Sequence, residues 1–274
     1  MKRLSRILYI AVMVILAAVF LYCAGSLVSY FIESRENQGK YDDLANLVDA
    51  ARPTQAETQG TDNTPEPTSP YVTVTDPDTG KSLEILREYA EAYKLNNDLV
   101  GWIRIDGTTV NYPVVQRPEQ TDYYLRRDFY GEKATHGCIY AREQCDVTAP
   151  SDNITIYGHR MKDGTMFAPL AAYEDKAYWE ANPYIQFDTL TEHHTYQIIA
   201  VFLTTATLGE GFQYHLFVDA EDTSDFNSFV ARCKQLALYE TGLSAAPGDK
   251  LITLSTCEYS QENGRLVVVA KKIS

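Results

Sequence analysis

The sequence predicts a mainly β domain with added helices, a mixed or antiparallel barrel, preceded by an N-terminal transmembrane helix. Three observations carry this. Short β-branched and aromatic runs, each bounded by turn residues, recur from about residue 100 to the C-terminus. Helical patterns fall between some of them, but without the strand–helix alternation that builds a parallel sheet, so they belong on the outside of the barrel. Finally, residues 7–32 contain no charged side chain.

That uncharged run is 26 residues long, about 39 Å as a helix at ~1.5 Å per residue. It exceeds the roughly 30 Å of hydrocarbon in a bilayer and can span it with some tilt. It is also far longer than the ~7–15 apolar residues of a cleaved leader, so an uncleaved signal anchor is expected. Lys2, Arg3 and Arg6 precede it. Positive flanks stay cytoplasmic, which leaves residues 1–6 inside the cell and the bulk of the chain outside, at the cell membrane.

Residues 33–81 read as stalk and linker. The first part, 33–50, is polar to amphipathic and suits a stalk helix. Residues 51–80 are rich in Thr and Pro and nearly free of large aliphatics. Such a stretch cannot bury enough apolar surface to offset its ordering entropy, and it predicts an extended tether. The folded domain is expected over 82–274.

Within that domain, Leu83, Leu86, Ala90 and Tyr93 recur near the helical period. They predict a helix over 82–98 with Ser82 as its cap and Glu84 in its first turn. A strand follows at 101–105, a turn at Asp106-Gly107, and an extended stretch at 109–116 interrupted by Pro113. Further strands are predicted at 137–140, 154–157, 184–187, 195–205, 250–256 and 266–272. Helical patches fall at 164–173 and 175–181. A longer helix is expected over 221–240, with Phe226, Phe229, Val230, Cys233 and Leu236 on one face. At that spacing Cys233 is core packing.

Composition narrows the function. The 274 residues are 45% hydrophobic, enough for a good-sized core, and carry a formal net charge of −13. With the three basic residues of the N-terminal flank set aside, the remainder is more acidic still. Nucleic acid is therefore not expected as a partner, since phosphate binding needs clustered Lys and Arg. Five cysteines are too few for a disulfide scaffold. Cys138 and Cys145 either close one short loop or remain two semi-buried thiols. With His136 they lack the second ligand pair of a zinc site. Asp122, Asp128, Glu132 and Glu143 do not form a calcium-binding loop pattern. No metal site and no cofactor are expected.

The chemistry concentrates at the C-terminus. Residues 250–271 read KLITLSTCEYSQENGRLVVVAK. Two apolar strands joined by 258–264 pair as antiparallel neighbours, which brings Cys257 and Arg265 together at one rim of the barrel. A guanidinium beside a thiol favours the reactive thiolate. It can also donate to an oxygen that turns negative during attack on a carbonyl. A thiol nucleophile in acyl transfer further requires an imidazole to exchange its proton. Of five histidines, His193 and His194 lie in a polar turn where solvation is expected, His215 lies in a loop, and His136 precedes a strand. His159 ends the run NITIYGH, another strand terminus, and is the candidate.

These segments resemble a known family. TLSTC, with Arg265 in GRLVVVAK, resembles the signature of the sortases, cysteine transpeptidases of Gram-positive bacteria. YGHRMKDGTMF resembles their histidine segment in its class B form. NNDLVGWIRIDGTTVNYPVVQ and TDYYLRRDFYGEKATHGCIY are similar to the early strands of that class. The likeness covers roughly 85–273, in order. It implies a closed barrel of about eight strands, with Cys257 as nucleophile, His159 as general acid/base, and Arg265 steadying substrate and oxyanion. Ser255 and Thr256 match the positions before the nucleophile, where they contact substrate or pack the strand. The implied activity cleaves a C-terminal sorting-signal pentapeptide of secreted proteins through a thioester. The acyl group then passes to an amine of a peptidoglycan precursor or another surface protein. Two alternatives stand beside it: an extracellular cysteine hydrolase without transfer, and a non-enzymatic membrane-tethered binding module.

Overall fold

A computed structural model describes residues 2–52, 69–207, 209–260 and 263–274. Its described part divides into two compact units, Met1–Lys40 and Tyr41–Ser274. Helix α1 spans Lys2–Ala51 and stops just ahead of Pro53, whose ring disfavours helical geometry in the residue before it. From Leu8 onward it is long and apolar enough to cross a membrane. The stalk helix expected from 33 is thus a continuation of the same helix. In its last turns Tyr41, Leu44 and Val48 are buried at helical spacing. All three belong to the main core, and the Tyr41 hydroxyl donates to the Gly137 carbonyl at 2.9 Å.

The helix predicted from Ser82 is corrected. Strands β1 (Tyr71–Thr75) and β2 (Ser82–Leu86) form an antiparallel hairpin in which Thr75 faces Ser82. The apolar residues of YVTVT and SLEIL alternate, and alternation suits a half-buried strand. The turn between them is set by Asp76, whose carboxylate accepts from the Asp78 and Thr79 amides, and by Gly80 at φ 68°. Leu86, Ala90 and Tyr93 mimic a helical stripe only because a 3-10 turn (Arg87–Tyr89) leads directly into helix α2 (Ala90–Leu95). The tether expected over 51–80 fails over 71–80, which is the β1 strand and its turn, and at Ala51, which ends α1; its residues 53–68 lie outside the described residues.

The remaining strands are β3 (Leu99–Arg104), β4 (Asn111–Val115), β5 (Ile139–Ala141), β6 (Asn153–Tyr157), β7 (Tyr184–Thr189), β8 (Thr195–Thr205), β9 (Leu251–Cys257) and β10 (Gly264–Lys272). They close an eight-stranded barrel in the order β10-β8-β7-β3-β4-β5-β6-β9. Two adjacencies, β4–β5 and β6–β9, are parallel and the rest antiparallel. Pro113 sits inside β4 opposite Trp102. It is tolerated because the parallel partner β5 reaches only Val114 and Val115, so no strand flanks Pro113 on that side.

Side chains alternate across the wall. Ile252, Leu254, Leu266, Val268 and Ala270 belong to the main core. Leu251, Val267 and Val269 point the other way, into a second core. Helix α4 (Thr223–Leu236) covers that outer face through Phe226, Phe229, Val230 and Cys233. Asp222 caps it by accepting from the Asp225 amide. Phe217 stacks on Phe229 with centroids 4.1 Å apart. Between β6 and β7 lie a 3-10 helix (Ala168–Glu174) and helix α3 (Lys176–Ala181), as the sequence predicts. Cys138 and Cys145 are buried free thiols, not a bridge.

Candidate active site

The site is built from three adjacent strands. β9 pairs with β10 so that Cys257 lies directly opposite Arg265 and Ser255 opposite Val267. On its other side β9 runs parallel to β6, with Tyr157 beside Ser255. The ladder continues one residue further, since the Gly158 amide donates to the Ser255 carbonyl at 3.2 Å. Residues directly across from each other share a face, as do residues two apart along a strand. His159 therefore stands beside Cys257. Imidazole, thiol and guanidinium occupy one row across three strands spaced about 4.8 Å apart. They meet at the strand ends, on the outer face of the barrel wall that also carries Val267 and Val269.

All three line one cleft of ≈ 290 Å³, together with Asp122, Leu125, Tyr140, Tyr157, Tyr214, His215, Ser255 and Thr256 among others. Cys257 is half-buried. The Arg265 guanidinium is steadied by its own loop, with Nη1 donating to the carbonyls of Gly264 at 2.9 Å and Asn263 at 3.2 Å. Tyr259, in the β9–β10 connection, donates its hydroxyl to the Arg160 carbonyl at 2.8 Å. That bond ties the loop after the thiol to the loop carrying His159.

His159 is fixed from the far side. Its Nε2 is 2.6 Å from the Leu125 carbonyl, in the 3-10 turn Tyr123–Arg126. A carbonyl only accepts, so Nε2 carries the proton and Nδ1 is the basic nitrogen of the neutral ring. Burial pushes the imidazole below its ordinary pKa of 6.5. The Leu125 bond opposes this, and the charges of Arg126, His136 and Arg265 add to the lowering. Gly158 before it has to be glycine, because a Cβ there would fall 2.7 Å from the Phe167 ring.

Ser255 and Thr256 are both buried, at 2% exposure; Ser255 shares the outer face with Cys257, and Thr256, one residue on, alternates to the inner face. The Ser255 hydroxyl is 2.5 Å from the Tyr214 hydroxyl. Thr256 Oγ1 is buried without a hydrogen-bond partner.

Of the two histidines expected to be solvated, His193 is exposed and His194 is not. His194 is buried, not solvated. His193 bridges two buried carboxylates, with Nδ1 2.9 Å from Asp188 and Nε2 3.5 Å from Glu88. Nothing in TEHHTY signals those distant partners. His136 pairs with Asp163 at 2.8 Å. His215, dismissed as a loop residue, lines the cleft, and no local pattern marks it. Tyr140 and Tyr157 were findable: they lie opposite each other in β5 and β6, and Tyr157 is two residues before His159.

Comparison with known proteins agrees with this architecture. Residues 103–273 match the sortase domain family model, and the chain belongs to the sortase family. It is 34% identical over 193 residues to Sortase B of Listeria monocytogenes, spanning 70% of this chain and 76% of that one. It is 32% identical over 188 residues to Sortase B of Staphylococcus aureus, spanning 68% and 75%. The solved S. aureus sortase B–substrate complex superposes with a TM-score of 0.71 at 26% identity, covering 89% of this chain and 99% of that chain. Its class is B, and it is a cysteine transpeptidase, as the resemblance in its sequence implies.

Proposed function

We propose that this transpeptidase cleaves a C-terminal sorting-signal pentapeptide of secreted proteins and transfers the acyl part to an amine of a peptidoglycan precursor or another surface protein. The observation that carries the reading is the row His159–Cys257–Arg265 across β6, β9 and β10, open to one cleft. The S. aureus relative solved as a substrate complex supports substrate binding by this fold.

In the first step Cys257 Sγ gives its proton to His159 Nδ1 and attacks the threonine carbonyl carbon. The C–N bond breaks, the imidazolium protonates the departing amine, and a thioester remains. In the second step an acceptor amine attacks the thioester carbon, the C–S bond breaks, and an amide and the free thiol form. The carbonyl oxygen is negative in both tetrahedral intermediates, so the Arg265 guanidinium acts twice. Storing the acyl group as a thioester lets an amine, and not only water, complete the reaction.

Residues 7–32 anchor the enzyme, with residues 1–6 cytoplasmic and the catalytic domain extracellular; that domain takes in Tyr41, Leu44 and Val48 of α1 and the β1 strand as well as 82–274. The length and charge pattern of α1 support this. The test is Cys257→Ala with a fluorogenic sorting peptide and an amine acceptor. Loss of both cleavage and amide product is expected. Undiminished cleavage overturns the assignment, and hydrolysis by the wild type with no adduct under any acceptor favours a plain hydrolase.

A further inference from the structure

Beyond β6 the chain enters a tight hairpin that begins at His159. The Phe167 amide donates back to the His159 carbonyl at 2.9 Å, and Arg160 pairs antiparallel with Met166. The hairpin turns through Gly164 at φ 85°, a conformation that favours glycine. Asp163 stands at its tip. One carboxylate oxygen, Oδ1, accepts from the Thr165 amide at 3.0 Å and from the Thr165 hydroxyl at 2.6 Å. The other, Oδ2, lies 2.8 Å from Nε2 of His136. A carboxylate accepts, so the imidazole donates. His136 is a histidine 1% exposed that the reaction does not use.

His136 belongs to a segment, 134–138, that wraps the turn carrying Leu125. The Ala134 amide donates to the Arg126 carbonyl at 3.2 Å and the Cys138 amide to the Tyr124 carbonyl at 3.1 Å. The segment is thus bonded on both sides of Leu125. Gly137 lies against Leu125 itself: a Cβ there would fall 2.6 Å from the Leu125 carbonyl oxygen. That same oxygen holds His159 Nε2. The contacts close a ring. It runs from the His159 imidazole to the Leu125 carbonyl, through 134–138 to His136, across to Asp163, and back along the hairpin to His159. Two tyrosines grip the ring from outside. Tyr41 of α1 donates to the Gly137 carbonyl, and the Tyr112 hydroxyl accepts from the Met166 amide at 3.1 Å. Met166 is held at φ 56°, in the left-handed region. The rings of Tyr41 and Tyr112 meet edge to face, with centroids 5.4 Å apart.

We infer that His136 and Asp163 are positioning residues for His159: their hydrogen bond locks the hairpin that carries the imidazole against the turn that carries its anchoring carbonyl. This deepens the transpeptidase reading and rests on it. The Leu125 bond orients the imidazole only if the two elements that supply its ends, β6 and the Tyr123–Arg126 turn, stay fixed relative to each other. The His136–Asp163 bond joins those elements side chain to side chain. Neither residue lines the cleft, so both act through His159 and not on the peptide. A displacement of about 1 Å at a reacting group can cost up to about 10²-fold in rate, so a loosened hairpin is felt at the proton transfers.

The experiment uses the full-length chain in detergent. A Thr-containing peptide cleaved by the wild type is selected from a library, and its acyl part is also made as a p-nitrophenyl ester. The amide needs a proton delivered to its leaving amine, whereas nitrophenolate departs without one. The readout is the amide/ester ratio of kcat/KM. Each ratio is taken within one preparation, so a lowered folded fraction cancels. His159→Gln should lower it by about 10². Asp163→Ala, at an exposed turn, and His136→Leu should each lower it by about ten, and the double variant no further than either, because both remove one bond. His136→Gln keeps a donor near the position of Nε2 and should stay within about threefold of the wild type. A ratio in Asp163→Ala within twofold of the wild type, or in His136→Gln as low as in His136→Leu, overturns the positioning role while leaving the transpeptidase reading intact. A ratio unchanged in His159→Gln, or no library peptide cleaved by the wild type, overturns that reading and the positioning role with it.

Discussion

Cys257 and Arg265 are register partners on the last two strands, directly opposite each other across the β9–β10 pair. The thiol and the guanidinium are thus held by backbone hydrogen bonding on both sides. Their relation does not depend on the conformation of the connection between them.

This makes the contribution of Arg265 separable from the fold. The side chain is half-buried, and its hydrogen bonds go to carbonyls of its own loop. Arg265→Ala should lower kcat by about 10²–10³, the usual cost of removing one donor to a developing oxyanion. The melting temperature should stay close to that of the wild type. Arg265→Lys keeps the charge without the planar fork and should recover only part of the rate. A loss below tenfold for Arg265→Ala would remove the guanidinium from the reaction.

The pH dependence follows from His159. Burial holds its folded-state pKa below 6.5, so the ring is neutral at pH 7 and able to take the thiol proton. Activity should fall on acidification with a midpoint below 6.5. The unfolded chain, with an ordinary imidazole, takes up its proton first. The stability contributed by the neutral, buried ring is therefore present above about 6.5 and lost as pH falls below it. A kcat/KM profile and melting curves of wild type and His159→Gln test both. An acid-limb midpoint above 6.5 would contradict this assignment.

Ser255 offers a test of packing against substrate contact. Its hydroxyl is buried against that of Tyr214. Ser255→Ala strands the Tyr214 hydroxyl and should cost about 1–3 kcal/mol of stability. The double variant with Tyr214→Phe should recover part of that loss, because neither group is then left unpaired. If Ser255→Ala leaves the denaturation midpoint unchanged while KM rises, the hydroxyl serves the peptide and not the wall.

The legible parts of the site were those close together in the chain. Seven residues separate Cys257 from Arg265, so two apolar runs and a short connection were enough to pair them. The partnership with His159 rests on β6 lying parallel to β9, a non-local pairing that no periodicity encodes. It was reached through the character of strand ends and through family resemblance. The barrel's class was readable from its short alternating runs. The β1–β2 hairpin was not, because Leu83, Leu86 and Ala90 happen to repeat at helical spacing and YVTVT sits in a stretch dominated by Thr and Pro. The burial of His194 and the ion pairs of His193 were not legible, because the partners of His193, Glu88 and Asp188, come from other elements. His215 reaches the cleft only through the turn that crosses β6.

The ring is completed by β9 and β10, which fill the gap between β6 and β8. A nascent chain that has been made only as far as residue 250 lacks the thiol, the guanidinium and a closed wall at once. Ring closure and the pairing of thiol with guanidinium are thus acquired together, when β9 and β10 enter the sheet.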